Sequence, residues 1–211
     1  MDWVSAFGNL SFALSAFSFL MKDMVRLRII AILSAIFGLI FNYFVATEPL
    51  WLVIFWLSLF LVINLYMVIS VFLKNKSAKF NADEKEMFET LFAELSPFEF
   101  LQLTNAATWL DQSEKHLFIK EGKKNEKLAL IWSGKATVLK NGVEITKLRR
   151  GSFIGELSYF NDSIPKANVL IEKGCKLLVW EHEKLRAWLH DYQDAAPVFN
   201  KLITSDLAAK I

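Results

Sequence analysis

The sequence contains a single cysteine, Cys175, among 211 residues. One cysteine cannot form a disulfide within the chain, and a free thiol fits a reducing compartment. We expect it to be a small buried apolar residue. An excess of one charge is also missing, since 24 Lys and Arg residues stand against 22 Asp and Glu residues. This balance predicts no broad basic surface and therefore no nucleic-acid partner.

Patterns that hold a metal ion or support catalysis are missing as well. The histidines His116, His182 and His190 are not spaced as HxxxH, and no CxxC pair occurs. We therefore expect no metal and no cofactor, and we expect His182 and His190 on a solvated helix face. No His–Asp pair accompanies a serine in a recognisable nucleophile motif, so the sequence predicts a protein that is not an enzyme.

Apolar residues, in contrast, are abundant: they make up 54% of the chain, and the mean hydropathy is +0.33. The excess lies in three uncharged runs, residues 3–21, 29–47 and 50–73. A helix of about 20 apolar residues spans the hydrocarbon core of a bilayer, so each run qualifies. Only Asp2 precedes the first run, in place of the basic segment of a cleaved signal peptide. The sequence predicts an α-helical membrane region with three transmembrane helices over residues 1–80.

Basic residues predict the orientation of this region. Those between the first and second runs and those after the third are Lys22, Arg26, Arg28, Lys74, Lys76 and Lys79. Between the second and third runs the one charge is Glu48. Because Lys and Arg in short loops stay in the cytoplasm, we expect the N-terminus and residues 47–49 outside and the C-terminal half inside. This is the arrangement of a multi-pass cell-membrane protein surrounded by membrane lipid.

Three asparagines, Asn9, Asn42 and Asn64, lie within the apolar runs. An amide in hydrocarbon seeks a hydrogen-bonding partner. We favour a partner on a neighbouring helix of the same chain, and the alternatives are another subunit or a polar pathway. The runs lack a selectivity-filter sequence, an arginine ladder and a buried acidic residue, so a channel is not expected.

Residues 81–211 show a different pattern. Helical periodicity marks residues 83–95, a helix that begins after Ser96 as N-cap, and residues 181–189 and 195–211. Short apolar runs alternate with turn residues at 117–119, 128–132, 136–139, 143–145, 169–171 and 177–180. Strands at this spacing are typical of an antiparallel β-roll or jelly roll. We expect an α+β cytoplasmic domain in which helices flank this roll.

The last helical segment carries an apolar stripe formed by Val198, Phe199, Leu202, Ile203 and Leu207. Helical spacing places these side chains on one face. Two interpretations stay open at this point. In the first, the helix packs on its own β-roll. In the second, it forms a dimer contact or a lid over a ligand.

Residues 151–169 hold the candidate binding residues. Gly155 allows a ligand to approach the backbone closely, because no Cβ blocks it. Backbone amides after such a turn can hold an anion. Glu156 can accept hydrogen bonds from sugar hydroxyls, and Lys166 adds a positive charge. Together these groups suit a cyclic nucleotide, whereas an ordinary hairpin with surface charges is the plainer alternative.

The sequences ELSPFEFLQL, LALIWSGKATVLKNGVEITKLRRGSFIGELSYF and KANV resemble the cyclic-nucleotide-binding domains of catabolite activators and cyclic-AMP-dependent kinases. The resemblance covers roughly residues 83–211. It implies binding roles for six residues: Gly155, Glu156, Leu157, Ser158, Lys166 and Ala167. Glu156 would bind the ribose 2′-hydroxyl, a following amide the phosphate, and Lys166 stands where the family has a phosphate-binding arginine. Ala167, in place of Thr or Ser, favours cyclic AMP over cyclic GMP.

Over nearly its whole length the chain is similar to Popeye-domain proteins. The similar segments include LRII, FWLSLFLVIN, FNADEKEMFETLFAELSPFEF, LLVWEHEKLRAWL and FNKLITSDLAAKI. The resemblance implies three membrane helices, a cytoplasmic cyclic-AMP-binding domain and a homodimer. Vertebrate members have a DSPE-type motif where this chain has Gly155-Glu156-Leu157-Ser158, so it is similar to a bacterial relative in an inner membrane.

The function that this resemblance implies is a membrane-anchored cyclic-AMP sensor that signals to a membrane partner. The alternative is a non-catalytic membrane adaptor whose β-roll no longer binds nucleotide. Lys166 bears on the choice between the sensor and the adaptor, because lysine keeps the positive charge of arginine but lacks its planar, bidentate group. The loss of one charge-assisted hydrogen bond weakens binding by about ten- to hundredfold.

Overall fold

The computed structural model describes residues 2–21 and 23–210. The chain divides into two compact units, Met1–Ser77 and Ala78–Ile211. The first unit is helical, and the second combines helices with two β-sheets. The division between the units follows the change from apolar runs to mixed sequence.

Three helices form the first unit: α1 Trp3–Ser18, α2 Met24–Phe44 and α3 Trp51–Ser77. Among the described residues, only α2 and α3 are long and apolar enough to cross a membrane. Helix α1 has 16 residues and, at 1.5 Å per residue, a length of about 24 Å, which is short of a hydrocarbon core about 30 Å thick. The predicted number of three transmembrane helices is therefore corrected to two candidates, because the first apolar run stops being helical at Ser18.

Small and hydroxylated residues mediate the packing of these helices. The hydroxyl of Ser11 donates to the carbonyl oxygen of Ser34 at 2.9 Å, and the hydroxyl of Ser34 donates to the carbonyl oxygen of Ser11 at 2.8 Å. A Cβ on Gly38 would lie 3.0 Å from Ser11 Oγ and 3.2 Å from Leu57 Cδ1. Since small residues let apolar helices approach closely, α1, α2 and α3 meet at Gly38.

The three asparagines of the apolar runs bond in two ways. Each donates to a carbonyl oxygen one turn earlier in its own helix, Asn9 to Ser5, Asn42 to Gly38 and Asn64 to Phe60. Asn64 is buried, and its side-chain oxygen also accepts a hydrogen bond from Arg28 of α2 at 3.3 Å. The predicted inter-helix bond within one chain is therefore confirmed for Asn64, whereas these bonds of Asn9 and Asn42 stay within their helices.

The second unit surrounds two antiparallel sheets with helices. The helices are α4 Ala82–Thr90, α5 Pro97–Asn105, α6 Glu156–Asn161, α7 His182–Asp191 and α8 Ala196–Ala208. The strands are β1 Ala107–Gln112, β2 His116–Ile119, β3 Lys127–Ser133, β4 Ala136–Lys140, β5 Val143–Leu148, β6 Phe153–Ile154, β7 Asn168–Ile171 and β8 Cys175–Glu181. The sheet orders are β1-β8-β3-β6 and β2-β7-β4-β5. The predicted antiparallel roll with flanking helices is confirmed.

Strand β3 lies at the centre of the second unit. Its five residues 128–132 are all buried. Because side chains alternate between the two faces of a strand, Leu128, Leu130 and Trp132 pack in the cluster that holds the buried helix side chains. Ala129 and Ile131 pack in the cluster between the sheets. The continuous apolar run in the sequence is thus a strand covered on both faces.

Capping residues begin the two helices that precede the roll. Helix α4 begins after Asn81, and α5 begins after Ser96; both N-caps form a capping box with the glutamate three residues later. The predicted start of α5 is therefore confirmed. Helix α4 ends at Thr90, however, and not at residue 95 as its periodicity predicts.

Two predictions about burial have opposite outcomes. Cys175 is buried, as predicted. The prediction that His182 lies on a solvated face is wrong, since its side chain is only 5% exposed. His182 begins α7 and shares the helix face of Leu185 and Trp188, which are buried at the same spacing of three residues. His190 lies on the exposed face, as predicted.

Candidate functional site

A cavity of about 290 Å³ lies in the second unit, between the second sheet, α6 and α8. The six residues predicted to bind a ligand all line it: Gly155, Glu156, Leu157, Ser158, Lys166 and Ala167. The fold therefore brings the two predicted segments to one site. Whether a ligand binds these residues stays a prediction.

Gly155 connects β6 to α6. Its φ of 92° lies in the left-handed region, which favours glycine. A Cβ at this position would lie 2.5 Å from the carbonyl oxygen of Lys127 and 2.7 Å from Nδ2 of Asn125. From its sequence context, this glycine is predicted to allow the close approach of a ligand. The structure gives a sufficient reason within the protein itself, because the neighbouring chain segment leaves no room for a side chain.

Glu156 is the first residue of α6, and its side chain is almost fully buried at the cavity. Its Oε1 accepts a hydrogen bond from the ammonium group of Lys210 at 2.8 Å. The same ammonium donates to the carbonyl oxygen of Phe153 at 2.6 Å and lies 2.6 Å from Oδ2 of Asp206. The Glu156 carboxylate, which is predicted to accept hydrogen bonds from ligand hydroxyls, is thus held in place by Lys210, just beyond α8.

Lys166 and Ala167 lie in the segment between α6 and β7. Two hydrogen bonds fix this segment: the Gly122 amide donates to the carbonyl oxygen of Pro165, and the Glu121 amide donates to Oδ1 of Asn168, both at 2.9 Å. Lys166 is exposed at the cavity wall, on the border between the cavity and solvent. The backbone of this segment is therefore held in place, and Lys166 contributes a positive charge to the exposed part of the cavity wall.

Apolar side chains form much of the remaining wall. Ile119, Val138 and Val169 contribute from three strands of the second sheet, and Leu207 contributes from α8. Phe199 and Ile203 of the same helix are buried in the core cluster. The interpretation that α8 packs on its own roll is therefore confirmed, and the helix also closes one side of the cavity.

Helix α7 holds α6 from outside the cavity. Arg186 donates to the carbonyl oxygen of Tyr159 at 3.3 Å and to the Asp162 carboxylate at 3.0 Å. The hydrogen bond from Arg186 lowers the pKa of Asp162, and burial raises the pKa of the Tyr159 phenol. Tyr159 also packs against His182, with ring centroids 5.2 Å apart. These contacts fix the helix that presents Glu156 to the cavity.

Lys210 lines the cavity and Asp206 forms an ion pair with it, and neither residue is predicted from the sequence to belong to the site. Their spacing of four residues places them on one face of a helix, where they form an ion pair. This spacing of opposite charges is the signal that the sequence offers. The partner across the fold, Glu156, is far away in sequence and gives no local pattern. For metals, no group of three or more His, Cys, Asp or Glu side chains in the described part of the chain could hold an ion.

Solved structures share the architecture that surrounds this cavity. A cyclic nucleotide-binding domain from Methylobacillus flagellatus matches with a TM-score of 0.54 and 21% identity, over 61% of this chain and 79% of that one. The C-linker/CNBHD of zELK channels, crystallized in the presence of cAMP, matches with a TM-score of 0.52 and 23% identity, over 64% of this chain and 69% of that one. These likenesses show the fold alone, which is that of a cyclic nucleotide-binding domain.

Sequence comparison identifies the family. Popeye domain-containing protein 1 from Danio rerio is 24% identical over an alignment of 169 residues, and the match covers 75% of this chain and 48% of that protein. The chain thus spans about half the length of the curated relative that it matches. A sequence model of the family described as POPDC1-3 matches residues 4–211. Because this match covers nearly the whole chain and agrees with the predicted resemblance to Popeye-domain proteins, the chain belongs to the POPDC1-3 family.

Proposed function

We propose that this protein is a membrane-anchored cyclic-nucleotide sensor that binds cyclic AMP and catalyses no reaction. The observation that carries the proposal is the meeting of all six predicted residues at one cavity. The volume of about 290 Å³ is close to the lower end of the range of roughly 300–1,000 Å³ for small-molecule sites. Membership of the family and the fold of a cyclic nucleotide-binding domain support this class of ligand.

The cavity wall offers a separate group to each part of the ligand. Glu156 accepts a hydrogen bond from the ribose 2′-hydroxyl, and Lys166 faces the cyclic phosphate with its positive charge. Leu207 and the strand residues Val138 and Val169 provide an apolar surface for the purine base. Because lysine offers one point charge where arginine offers a planar fork, we expect an affinity in the micromolar range.

The membrane anchor consists of α2 and α3, with α1 packed against α2. The two candidate spans support this part of the proposal, and basic residues at their cytoplasmic ends set the orientation. We expect a Glu48→Cys variant in intact cells to react with a membrane-impermeant maleimide, and a Lys79→Cys variant to react only after the membrane is opened. Native Cys175 is buried and gives little background. The reverse labelling pattern would contradict this orientation.

The signal of ligand binding is transmitted through the two ends of the second unit. At one end Phe80 is anchored in the aromatic core, with ring centroids 5.3 Å from Phe88 and 5.2 Å from Phe100. At the other end α8 forms part of the cavity wall. Ligand binding shifts the population between two arrangements of α8, and a homodimer or a membrane partner detects the change.

Isothermal titration of the full chain in detergent micelles with cyclic AMP tests the proposal. We expect saturable binding at micromolar concentration and at least tenfold weaker binding in Glu156→Gln and Lys166→Ala. The matched control is Lys173→Ala, because Lys173 is an exposed lysine outside the cavity. Thermal unfolding of each variant checks that it is folded. Equal affinity of all four proteins would contradict the site.

A second candidate function, a membrane adaptor that binds no nucleotide, is favoured by one observation. The carboxylate expected to bind the ribose is already bound to Lys210. For an adaptor, cyclic AMP and cyclic GMP at millimolar concentration change neither the midpoint of thermal unfolding nor the heat of titration. A midpoint that rises with ligand concentration excludes this candidate.

A further inference from the structure

Arg28 is a charged residue within a candidate membrane span. It lies in the second turn of α2, and its side chain is half-buried. A charge surrounded by hydrocarbon is costly, so an arginine in a span is rare and is usually paired with another group. The partners of Arg28 therefore indicate what this residue can bind.

Asn64 of α3 holds one edge of the Arg28 guanidinium. Nη1 of Arg28 donates a hydrogen bond to Oδ1 of Asn64 at 3.3 Å. The Asn64 side chain is itself fixed, because the residue is only 4% exposed and its Nδ2 donates to the carbonyl oxygen of Phe60 at 2.8 Å. The two helices thus fix the position of the guanidinium through a neutral amide, which does not compensate its charge.

The other edge of the guanidinium has no partner among residues 2–21 and 23–210. A guanidinium has five N–H donors, and the bond to Asn64 uses one of them. The acidic residues of the first unit are Asp2, Asp23 and Glu48, all exposed at helix ends, and none forms an ion pair with Arg28 in the described structure. Nε and Nη2 therefore remain for an anion from outside the chain.

The surroundings of Arg28 favour a lipid as the source of that anion. Basic residues at this end of α2 and α3 include Arg26, Lys74 and Lys76, against the single acidic residue Asp23. Basic pockets between membrane helices on the cytoplasmic side attract anionic headgroups. Ile29, next to Arg28 in the sequence, is an exposed apolar residue, which suits an acyl chain better than a soluble anion.

We propose that Arg28 and Asn64 form a site for the phosphate group of an anionic phospholipid in the cytoplasmic leaflet. Asn64 positions the guanidinium, and Nε and Nη2 bind two phosphate oxygens in the paired geometry that arginine allows. The inference rests on the part of the proposed function that places α2 and α3 in the membrane with the N-terminus of α2 at the cytoplasmic face. It does not depend on cyclic AMP.

Native mass spectrometry of the full chain in micelles, titrated with phosphatidylglycerol, tests the site. We expect Arg28→Gln to bind this lipid about tenfold more weakly than the unchanged protein, because the charge-assisted hydrogen bonds are lost. The matched control is Arg26→Gln, which removes the same charge from an exposed residue of the same helix and should bind within about twofold of the unchanged protein. Equal affinities of the two variants would show a response to net charge alone and overturn the site. If Arg28→Gln does not fold, Arg28→Lys keeps the charge without the planar fork and should also bind more weakly.

Asn64→Leu tests the positioning role, since it keeps the charge of Arg28 and removes its anchor. We expect it to bind phosphatidylglycerol more weakly, whereas the control Asn42→Leu, whose amide donates to Gly38 in its own helix, should bind as the unchanged protein does. Equal binding by both variants would overturn the role of Asn64.

Two further arms distinguish the occupants of the site. Displacement of the lipid by glycerol 3-phosphate at millimolar concentration would assign the site to a soluble anion and overturn the lipid. Loss of dimers from the spectra of Arg28→Gln, with unchanged lipid binding, would assign Arg28 to a contact between copies of the chain and overturn the proposal as well.

The maleimide labelling of Glu48→Cys and Lys79→Cys separates this inference from the proposed function. The reverse labelling pattern would overturn the orientation of the anchor and the lipid site together. The expected labelling pattern, combined with equal lipid affinities of Arg28→Gln and Arg26→Gln, would overturn the lipid site alone.

Discussion

A methyl group on Gly155 would lie 2.5 Å from the carbonyl oxygen of Lys127, closer than van der Waals contact permits. The turn that carries the candidate site is thus fitted against the start of β3. This contact gives Gly155 a structural role that is independent of any ligand. Loss of binding after a substitution of Gly155 would therefore not by itself identify a ligand contact.

We expect Gly155→Ala to decrease the free energy of unfolding by about 2–4 kcal/mol. Alanine at a left-handed φ costs about 1 kcal/mol, and overpacking against Lys127 and Asn125 adds about 1–3 kcal/mol. The matched control is Gly142→Ala, since Gly142 has a φ of 81° but no atom of the described residues lies within 4 Å of the added Cβ. Chemical denaturation of the full chain measures both values. Equal losses in the two variants would show that Lys127 moves away at little cost.

Asp83 connects α4 to the first sheet. Its carboxylate accepts a hydrogen bond from Trp132 Nε1 at 3.0 Å and forms an ion pair with Lys176, whose hydrogen bond lowers the pKa of Asp83. The side chain is 40% exposed, so water replaces part of the lost interaction. We expect Asp83→Ala to cost about 1 kcal/mol of unfolding free energy, and the control Glu89→Ala on the exposed face of α4 to cost less than about 0.5 kcal/mol. Equal costs would contradict a specific role of Asp83.

The sequence predicts most elements of the roll, for reasons visible in particular strands. The run at residues 128–132 is apolar throughout because β3 is buried on both faces. Strand β1 contains Thr108, Asp111 and Gln112 at the edge of its sheet, and β6 has only two residues, so neither shows an apolar pattern. Edge strands and very short strands owe their conformation to their neighbours, and local sequence does not predict them.

The candidate site, like the roll, is only partly predictable from local sequence. The turn at Gly155 and the charges of Glu156 and Lys166 lie close together in sequence, and their chemistry is sufficient to predict a shared site. The contact between Lys210 and Glu156 depends on how α8 packs across the fold, and no local pattern encodes it. His182 is buried because it shares a helix face with Leu185, which outweighs the polarity of its ring.

We expect the protein to lose stability on mild acidification because of His182. Burial lowers the pKa of its imidazole, and Arg186 lowers it further, although the Lys127 backbone, Asp162 and Glu126 oppose the shift. Its Nε2 is buried and has no hydrogen-bond partner among the described residues, 2–21 and 23–210. An unfolded histidine takes up a proton near pH 6.5, whereas folded His182 does so only at lower pH. The unfolded state therefore binds more protons as the pH falls below about 6.5, and unfolding becomes easier.

Chemical denaturation at pH 7.5 and pH 5.5 measures this effect. We expect His182→Phe, which keeps an aromatic ring against Tyr159, to lose less stability between these pH values than the unchanged protein. The control His190→Gln changes a histidine whose side chain is 83% exposed and should keep the original pH dependence. Carboxylates with a lowered pKa, such as Asp83 and Asp162, lose their contribution below about pH 4, outside this window. The same pH dependence in His182→Phe would assign the effect to another group.

The three helices of the first unit meet at Gly38. We therefore expect that unit to be sensitive to a larger side chain at this position. A Cβ there already lies 3.0 Å from Ser11 Oγ and 3.2 Å from Leu57 Cδ1, so Gly38→Leu must separate α1 and α3 from α2. We expect thermal unfolding in detergent micelles at a clearly lower temperature, with a cost of about 1–3 kcal/mol from overpacking. The control Ile36→Leu changes an exposed residue of the same helix and should unfold as the unchanged protein does. Equal unfolding temperatures of the two variants would mean that the helices do not pack closely at Gly38.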